Sequence, residues 1–282
     1  MKKVLVTGAN GYIGRHVVNE LIDRGYDVYA CDIKFNNINK KAKIIDISIF
    51  DNNADIFKET GSPDICIHLA WRDGFIHNSE NHILDLYKHY NFIKNMIAGG
   101  LKHISIMGSM HEVGYWEGVV NEDTPTNPLS LYAIAKNSLR QMIEVLIKEK
   151  EVIFQWMRGF YIIGDDLNSN SIFSKIYKAK CEGKKTFPFT TGKNKYDFIN
   201  LNEFVDQIVS CSTQEEITGI INCCSGEAVS LAEKVEEFIK DNDLDIKLEY
   251  GAFPDRPYDS PAIWGDSSKI KQVIKRDTLV NV

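Results

Sequence analysis

The chain has 282 residues, with 33 Lys and Arg against 39 Asp and Glu and a formal net charge of −6. That length suits one large α/β domain or two smaller ones with an ample core, and the mixed, mildly acidic charge argues against nucleic-acid or membrane surfaces as partners. Six cysteines without CxxC spacing suggest neither zinc nor disulfides, and no apolar run suits a signal peptide or membrane span, so a metal-free protein of the reducing cytoplasm is expected.

Residues 3–7 (KVLVT) read as a buried strand, and GRHVVNELIDRG beyond it carries Val17, Val18, Leu21 and Ile22 at helical spacing. Between them, TGANGYIG places Gly8, Gly11 and Gly14 in the connecting turn. Glycine lets the backbone turn tightly and lets its amides approach a pyrophosphate, whose charge then sits at the positive end of the helix. A second strand, YDVYACD, ends near Asp32. A carboxylate there accepts hydrogen bonds from adenosine ribose hydroxyls and repels a 2′-phosphate, so NAD is expected, with NADP left open because Arg15 and Lys34 lie close by.

Further strands follow at KAKIID and PDICIHLA, then a helix over 81–98, a strand at KHISIM, a helix over 131–148 and a strand at EVIFQWMRG. Such compact apolar runs suit a parallel sheet covered on both faces. Later elements are shorter: a helix near SIFSKIYKAK, the segment YDFIN, a helix at NEFVDQIVSC, a strand at GIINCC and a helix at LAEKVEEFIKD. The expectation is an α/β fold with a Rossmann-type doubly wound sheet over 1–163, to which 195–224 returns. A smaller interleaved domain is expected from 164–194 and 225–282.

In LYAIAKNSLR, Tyr132 and Lys136 stand four residues apart and so project from one helix face. An ammonium beside a phenol favours the phenolate, so Tyr132 is expected to serve as acid or base near neutral pH. Ser109 ends the strand before this helix.

TGANGYIG, Asp32, HLA at 68–70, Ser109, YAIAK, RGFYIIG, YDFINLNEF and GIINCCSGE occur in the order found in extended short-chain dehydrogenases/reductases of the nucleotide-sugar epimerase/dehydratase type. The chain resembles that family over nearly its whole length. The resemblance implies a triad in which Tyr132 exchanges a proton with a sugar oxygen, Ser109 hydrogen-bonds that oxygen, and Lys136 holds the nicotinamide ribose. It also implies cofactor contacts from Gly8, Asn10, Gly11, Tyr12, Ile13 and Gly14, and from Asp32, Asp46, Ile47, Leu69, Ala70 and Lys136. The nucleotide sugar would meet Trp71, His111, Tyr132 and Arg256, the last within a segment resembling the family's diphosphate-binding Arg-x-Gly-Asp.

Dehydratases of this family carry an Asp-Glu pair directly after the triad's Ser or Thr, where this chain has Met110 and His111; a thioether cannot act as the acid. In the GDP-fucose synthase group a Cys and a distant His epimerise carbons beside the ketone, and here His111 and Asp166 fall near those places. GSMHEVG, Glu122, Pro125 and YAIAK resemble bacterial 4-keto-6-deoxyhexose reductases, which implies that Glu112 fixes the loop. The expected activity is an NAD(P)-dependent reduction of a nucleotide-linked 4-keto-6-deoxy sugar, with Tyr132 as proton donor. The alternatives are a UDP-hexose 4-epimerase with tightly bound NAD and a dinucleotide-sensing regulator. A homodimer is expected through the 81–98 and 131–148 helices, which are apolar on more sides than one core requires.

Overall fold

The computed structural model describes residues 1–164, 171–255 and 259–280. The chain begins β1 (Lys3–Thr7), α1 (Tyr12–Asp23), β2 (Asp27–Cys31), β3 (Lys43–Ile45), α2 (Ile56–Glu59), β4 (Ile65–His68) and α3 (Asn81–Gly99). Next, β5 (His103–Ser109) runs into a 3-10 turn at Met110–Glu112, followed by β6 (Gly118–Val120), α4 (Leu131–Ile147), β7 (Ile153–Gly159) and β8 (Tyr161–Ile163). Beyond lie α5 (Ile172–Cys181), β9 (Thr186–Pro188), β10 (Lys195–Asn200), α6 (Leu201–Thr213), β11 (Gly219–Cys223) and β12 (Ala228–Ser230). The remainder is α7 (Leu231–Asp241), β13 (Lys247–Glu249), β14 (Ala262–Gly265) and α8 (Ser268–Val280).

Seven parallel strands form the large sheet in the order β3-β2-β1-β4-β5-β7-β11, the doubly wound arrangement expected from the sequence. Alternate residues of β1 serve opposite faces, as the two-residue period of a strand requires. Val4 and Val6 pack with Val17, Leu21, Phe204 and Ile208 on one side, whereas Leu5 joins Phe92, Met96, Leu139, Ile143 and Trp156 on the other. The order reverses between β1 and β4, so a crevice opens at their carboxyl ends.

A five-stranded sheet is built from β6, β8, β10, β12 and β14, and a separate pair from β9 and β13. Phe173, Ile176, Phe189, Phe198 and Val235 form the core beneath them. The chain interleaves more finely than the expected division. Within 195–224, α6 packs on α1 and β11 edges the large sheet, but β10 belongs to the small one. Fully buried Asp197 of β10 is the reason: its carboxylate accepts from Ser225 N and Oγ, Gly226 N and Gly265 N, tying β10 to β14 and to the loop after β11. β6 pairs with β14 although it lies within 1–163, and α8 returns to pack on α6 and β11.

A Cβ on Gly14 would stand 2.0 Å from the carbonyl oxygen of Gly8, so the start of α1 tolerates no side chain there. Gly14→Ala is expected to cost about 1–3 kcal/mol by overpacking. Urea denaturation measures this, and a wild-type midpoint would contradict it.

Candidate active site

At the crevice, Gly8 has φ +68°, and a Cβ there would lie 2.7 Å from the backbone of Ala70. The loops after β1 and β4 therefore meet at a contact that only glycine permits. Gly11 caps α1 without any side-chain hydrogen bond, and the first turn carries no acidic residue. Tyr12, Ile13 and Gly14 thus open a helix whose positive end has neither a side-chain cap nor an acidic residue in its first turn.

Asp32, just beyond β2, accepts from Asn10 N at 2.9 Å and from Ile33 N at 2.7 Å, which fixes its carboxylate beside the glycine turn. The Asn10 side chain continues outward, donating to Asn36 at 3.2 Å and accepting from Asn37 N at 2.8 Å. The Cys31 thiol bonds the Ile47 carbonyl at 3.4 Å, setting Asp46 and Ile47 against the end of β2. Leu69 N and Ala70 N bond Thr7 on the neighbouring strand. A glycine cradle, an uncapped helix start and a fixed carboxylate fit a dinucleotide in their chemistry.

The reactive end is assembled from β5 and α4. Ser109 closes β5, while Ser130 caps α4 by accepting from Ala133 N at 3.2 Å, which puts Tyr132 in the first helical turn and Lys136 in the next. The Ser109 hydroxyl lies near enough to the Tyr132 phenol to favour its ionised form. Lys136 is 3 % exposed; its Nζ donates to Met107 O at 2.7 Å and lies 3.8 Å from the centre of the Trp71 indole.

Burial governs the charges here. Tyr132 is pushed up to about 12, chiefly because a dry surrounding penalises the phenolate; the Ser109 hydroxyl opposes this and the Glu112 charge adds to it. Burial brings Lys136 down to about 7, against the pull of Glu112. The expectation that Lys136 lowers the phenol is therefore corrected for the free protein. The amine is itself desolvated and stands 6.0 Å from the ring, so desolvation of the phenolate wins.

Beneath the serine lies a fully buried ion pair. Glu112 accepts from Ser109 N at 2.7 Å and from the Trp156 indole at 3.0 Å, and its carboxylate is 3.6 Å from Arg158 Nε. Ser109 Oγ accepts from His111 N at 3.3 Å, completing a capping box. Glu112 is thus framework, the role expected of it. Gly108 has no room for a side chain, since a Cβ would meet Trp156 Nε1 at 2.2 Å.

His111, expected at the substrate, has its ring 4.8 Å from His77 and 6.3 Å from Tyr132, and burial holds it down at about 4. Trp71 is more enclosed than a free stacking platform would be. His89 lies parallel to it at 4.5 Å, Lys136 covers it, and its N–H is given to His82 Nδ1 at 3.1 Å. Arg256 and Asp166 lie outside the described residues.

Sequence reasoning missed the histidines. His77 stacks on Tyr132 at 5.3 Å and 12°, its carbonyl accepts from Tyr132 N at 2.8 Å, and His82 meets the same ring edge-on at 5.4 Å. Deeper in, His89 bonds His68 at 2.9 Å and His68 bonds Thr7 Oγ1 at 2.7 Å. Four of the seven histidines fall between His68 and His89, a density that could have drawn attention. Among the described residues no group of His, Cys, Asp or Glu could hold a metal ion, the six cysteines are free, and no helix is long and apolar enough to cross a membrane.

Glu112→Ala would leave Arg158 charged and buried without its counter-ion, and would release the Ser109 turn. A loss of about 3–5 kcal/mol is expected. Chemical denaturation reads it, and a change below about 1 kcal/mol would contradict the strut.

Comparison with known proteins accords with this geometry. The model of the NAD dependent epimerase/dehydratase family matches residues 4–224. The chain is 41% identical over 269 residues to the dTDP-6-deoxy-L-talose 4-dehydrogenase (NAD(+)) of Aggregatibacter actinomycetemcomitans, spanning 93% of this chain and 98% of that protein. A UDP-glucose 4-epimerase of Lactobacillus helveticus is 23% identical over 303 residues, with 96% and 91% covered. Among solved structures, MoeE5 in complex with UDP-glucuronic acid and NAD superposes with a TM-score of 0.81 at 21% identity, covering 97% of this chain and 92% of that one. A UDP-glucose 4-epimerase superposes with a TM-score of 0.84 at 17% identity, covering 97% and 91%. These structural likenesses speak to the fold, whereas the family match takes in most of the sequence. The chain belongs to the NAD dependent epimerase/dehydratase family.

Proposed function

We propose that the protein is an NAD-dependent 4-ketoreductase of a nucleotide-linked 4-keto-6-deoxyhexose, equally a 4-dehydrogenase of the 6-deoxy sugar in reverse. The observation that carries this reading is the 41% identity, over nearly the full length of both chains, to a relative named as a dTDP-6-deoxy-L-talose 4-dehydrogenase (NAD(+)). The site supports it. Ser109 and Tyr132 converge to hold the oxygen on C4, and a phenol that burial keeps protonated is suited to giving that oxygen its proton. The nicotinamide, when bound, supplies the hydride.

Lys136 is assigned to the nicotinamide ribose and Asp32 to the adenosine ribose, which favours NAD. His111, Trp71 and Arg256 are assigned to the nucleotide sugar, with the small sheet and its helices forming most of its site. Dehydration is set aside because Met110, in the place of an acid, is buried against Val113 and Phe160.

The test is to offer dTDP-, GDP-, UDP- and CDP-linked 4-keto-6-deoxy sugars and follow NADH oxidation. Turnover with one of them is expected, falling about 10²–10⁴-fold in Tyr132→Phe. Protein purified with stoichiometric NAD that interconverts UDP-glucose and UDP-galactose without added cofactor would establish the epimerase instead. The raised phenol also sets a pH dependence. Reduction keeps its proton donor from neutral to mildly alkaline pH, whereas dehydrogenation needs the phenolate and gains as pH rises; kcat/KM in both directions measures this, and equal profiles would contradict it.

We infer also a homodimer through α3 and α4, which pack side by side. Leu84 and Tyr87 on α3 are each 62% exposed and Val145 on α4 is 77% exposed, an apolar surface that a second copy would cover. Light scattering should give twice the chain mass and Leu84→Asp should halve it; a wild-type monomer refutes the interface.

A further inference from the structure

Lys136 presents an unusual problem of charge. It is all but sealed from water, its Nζ makes one hydrogen bond to a protein carbonyl, and an amine so placed loses its proton readily. Directly against the amine, 3.8 Å from Nζ, lies the face of Trp71. That indole is held on its other sides: His89 stacks parallel to it, and its N–H is bonded to His82, whose second nitrogen is 3.0 Å from the Ile76 carbonyl. An aromatic face attracts a cation most strongly where water is excluded, and Trp is the strongest of the aromatic side chains.

We propose that Trp71 is a positioning residue for Lys136, its clamped indole face keeping the buried amine in the ammonium form. The other groups facing this amine do not replace it. Glu112, from the turn after β5, favours the charge but is spent on Ser109, Trp156 and Arg158. His68 from β4 and His89 from α3 are both held far below their ordinary range by burial, so neither adds a competing positive charge. Tyr132, on the same helix, keeps its proton. A Lys136 that stays an ammonium offers its full set of donors to ribose hydroxyls, a consequence that rests on the reductase reading, whereas the charge-holding itself does not.

The experiment is an NMR pH titration of protein labelled with ¹³Cε-lysine, without cofactor or sugar, the Lys136 signal being identified by its loss in Lys136→Met. Trp71→Leu keeps the site apolar but removes the π face. Its Lys136 midpoint is expected to fall by about one unit, leaving about tenfold more uncharged amine at a given pH well below it. Trp71→Phe should shift the same way by less, and it decides the matter if the leucine variant does not fold. An unmoved or raised midpoint overturns the proposal. Because no turnover is involved, that outcome is distinct from a failure to find reductase activity.

Discussion

Exclusion of water from the end of β5 is the constraint on which the rest of the site depends. Glu112 and Arg158 are both fully buried there, and neither charge is tolerable without the other. Once paired, Glu112 has a second oxygen contact to give, and it gives it to the Ser109 amide and the Trp156 indole, which fixes the turn that presents Ser109 to Tyr132. The same dryness raises the phenol and lowers the amine. Geometry and protonation thus share one cause, and the resting site is one in which the phenol keeps its proton.

The fold and the cofactor end were legible because they rest on local patterns. Gly8, Gly11 and Gly14 between a strand and a helix, Asp32 after the next strand, and Tyr132 with Lys136 one turn apart all sit where spacing alone puts them. The histidine cluster was not legible. It forms because the segment after β4 folds over the start of α4, where the His77 carbonyl receives the Tyr132 amide from a distant part of the chain. Nor could spacing reveal how Tyr132 titrates: YxxxK suggests a helpful ammonium, but only the fold reveals that the ammonium is itself desolvated. The placement of β10 was hidden for a similar reason, since Asp197 binds loops that lie 28 residues or more further along the chain.

The preference for a reductase over a dehydratase leans on the two residues after Ser109. Met110 points into a small apolar core with Val113, Val120 and Phe160, while His111 is turned toward His77 and kept from protonating by burial. Neither offers the carboxylic acid that expulsion of water from a sugar requires, and the proposed reductase needs none. In the proposed reaction Tyr132 and Ser109 would serve one oxygen, Lys136 the cofactor side, and the small sheet the nucleotide.

If burial keeps Tyr132 protonated in the free protein, ultraviolet difference titration of wild type against Tyr132→Phe will reveal it. No phenolate band from Tyr132 is expected until the pH has passed the ordinary phenol value of 10.0. A band with its midpoint near neutrality would show that Lys136, not desolvation, controls the phenol, and would contradict a dry site as the common cause of geometry and protonation.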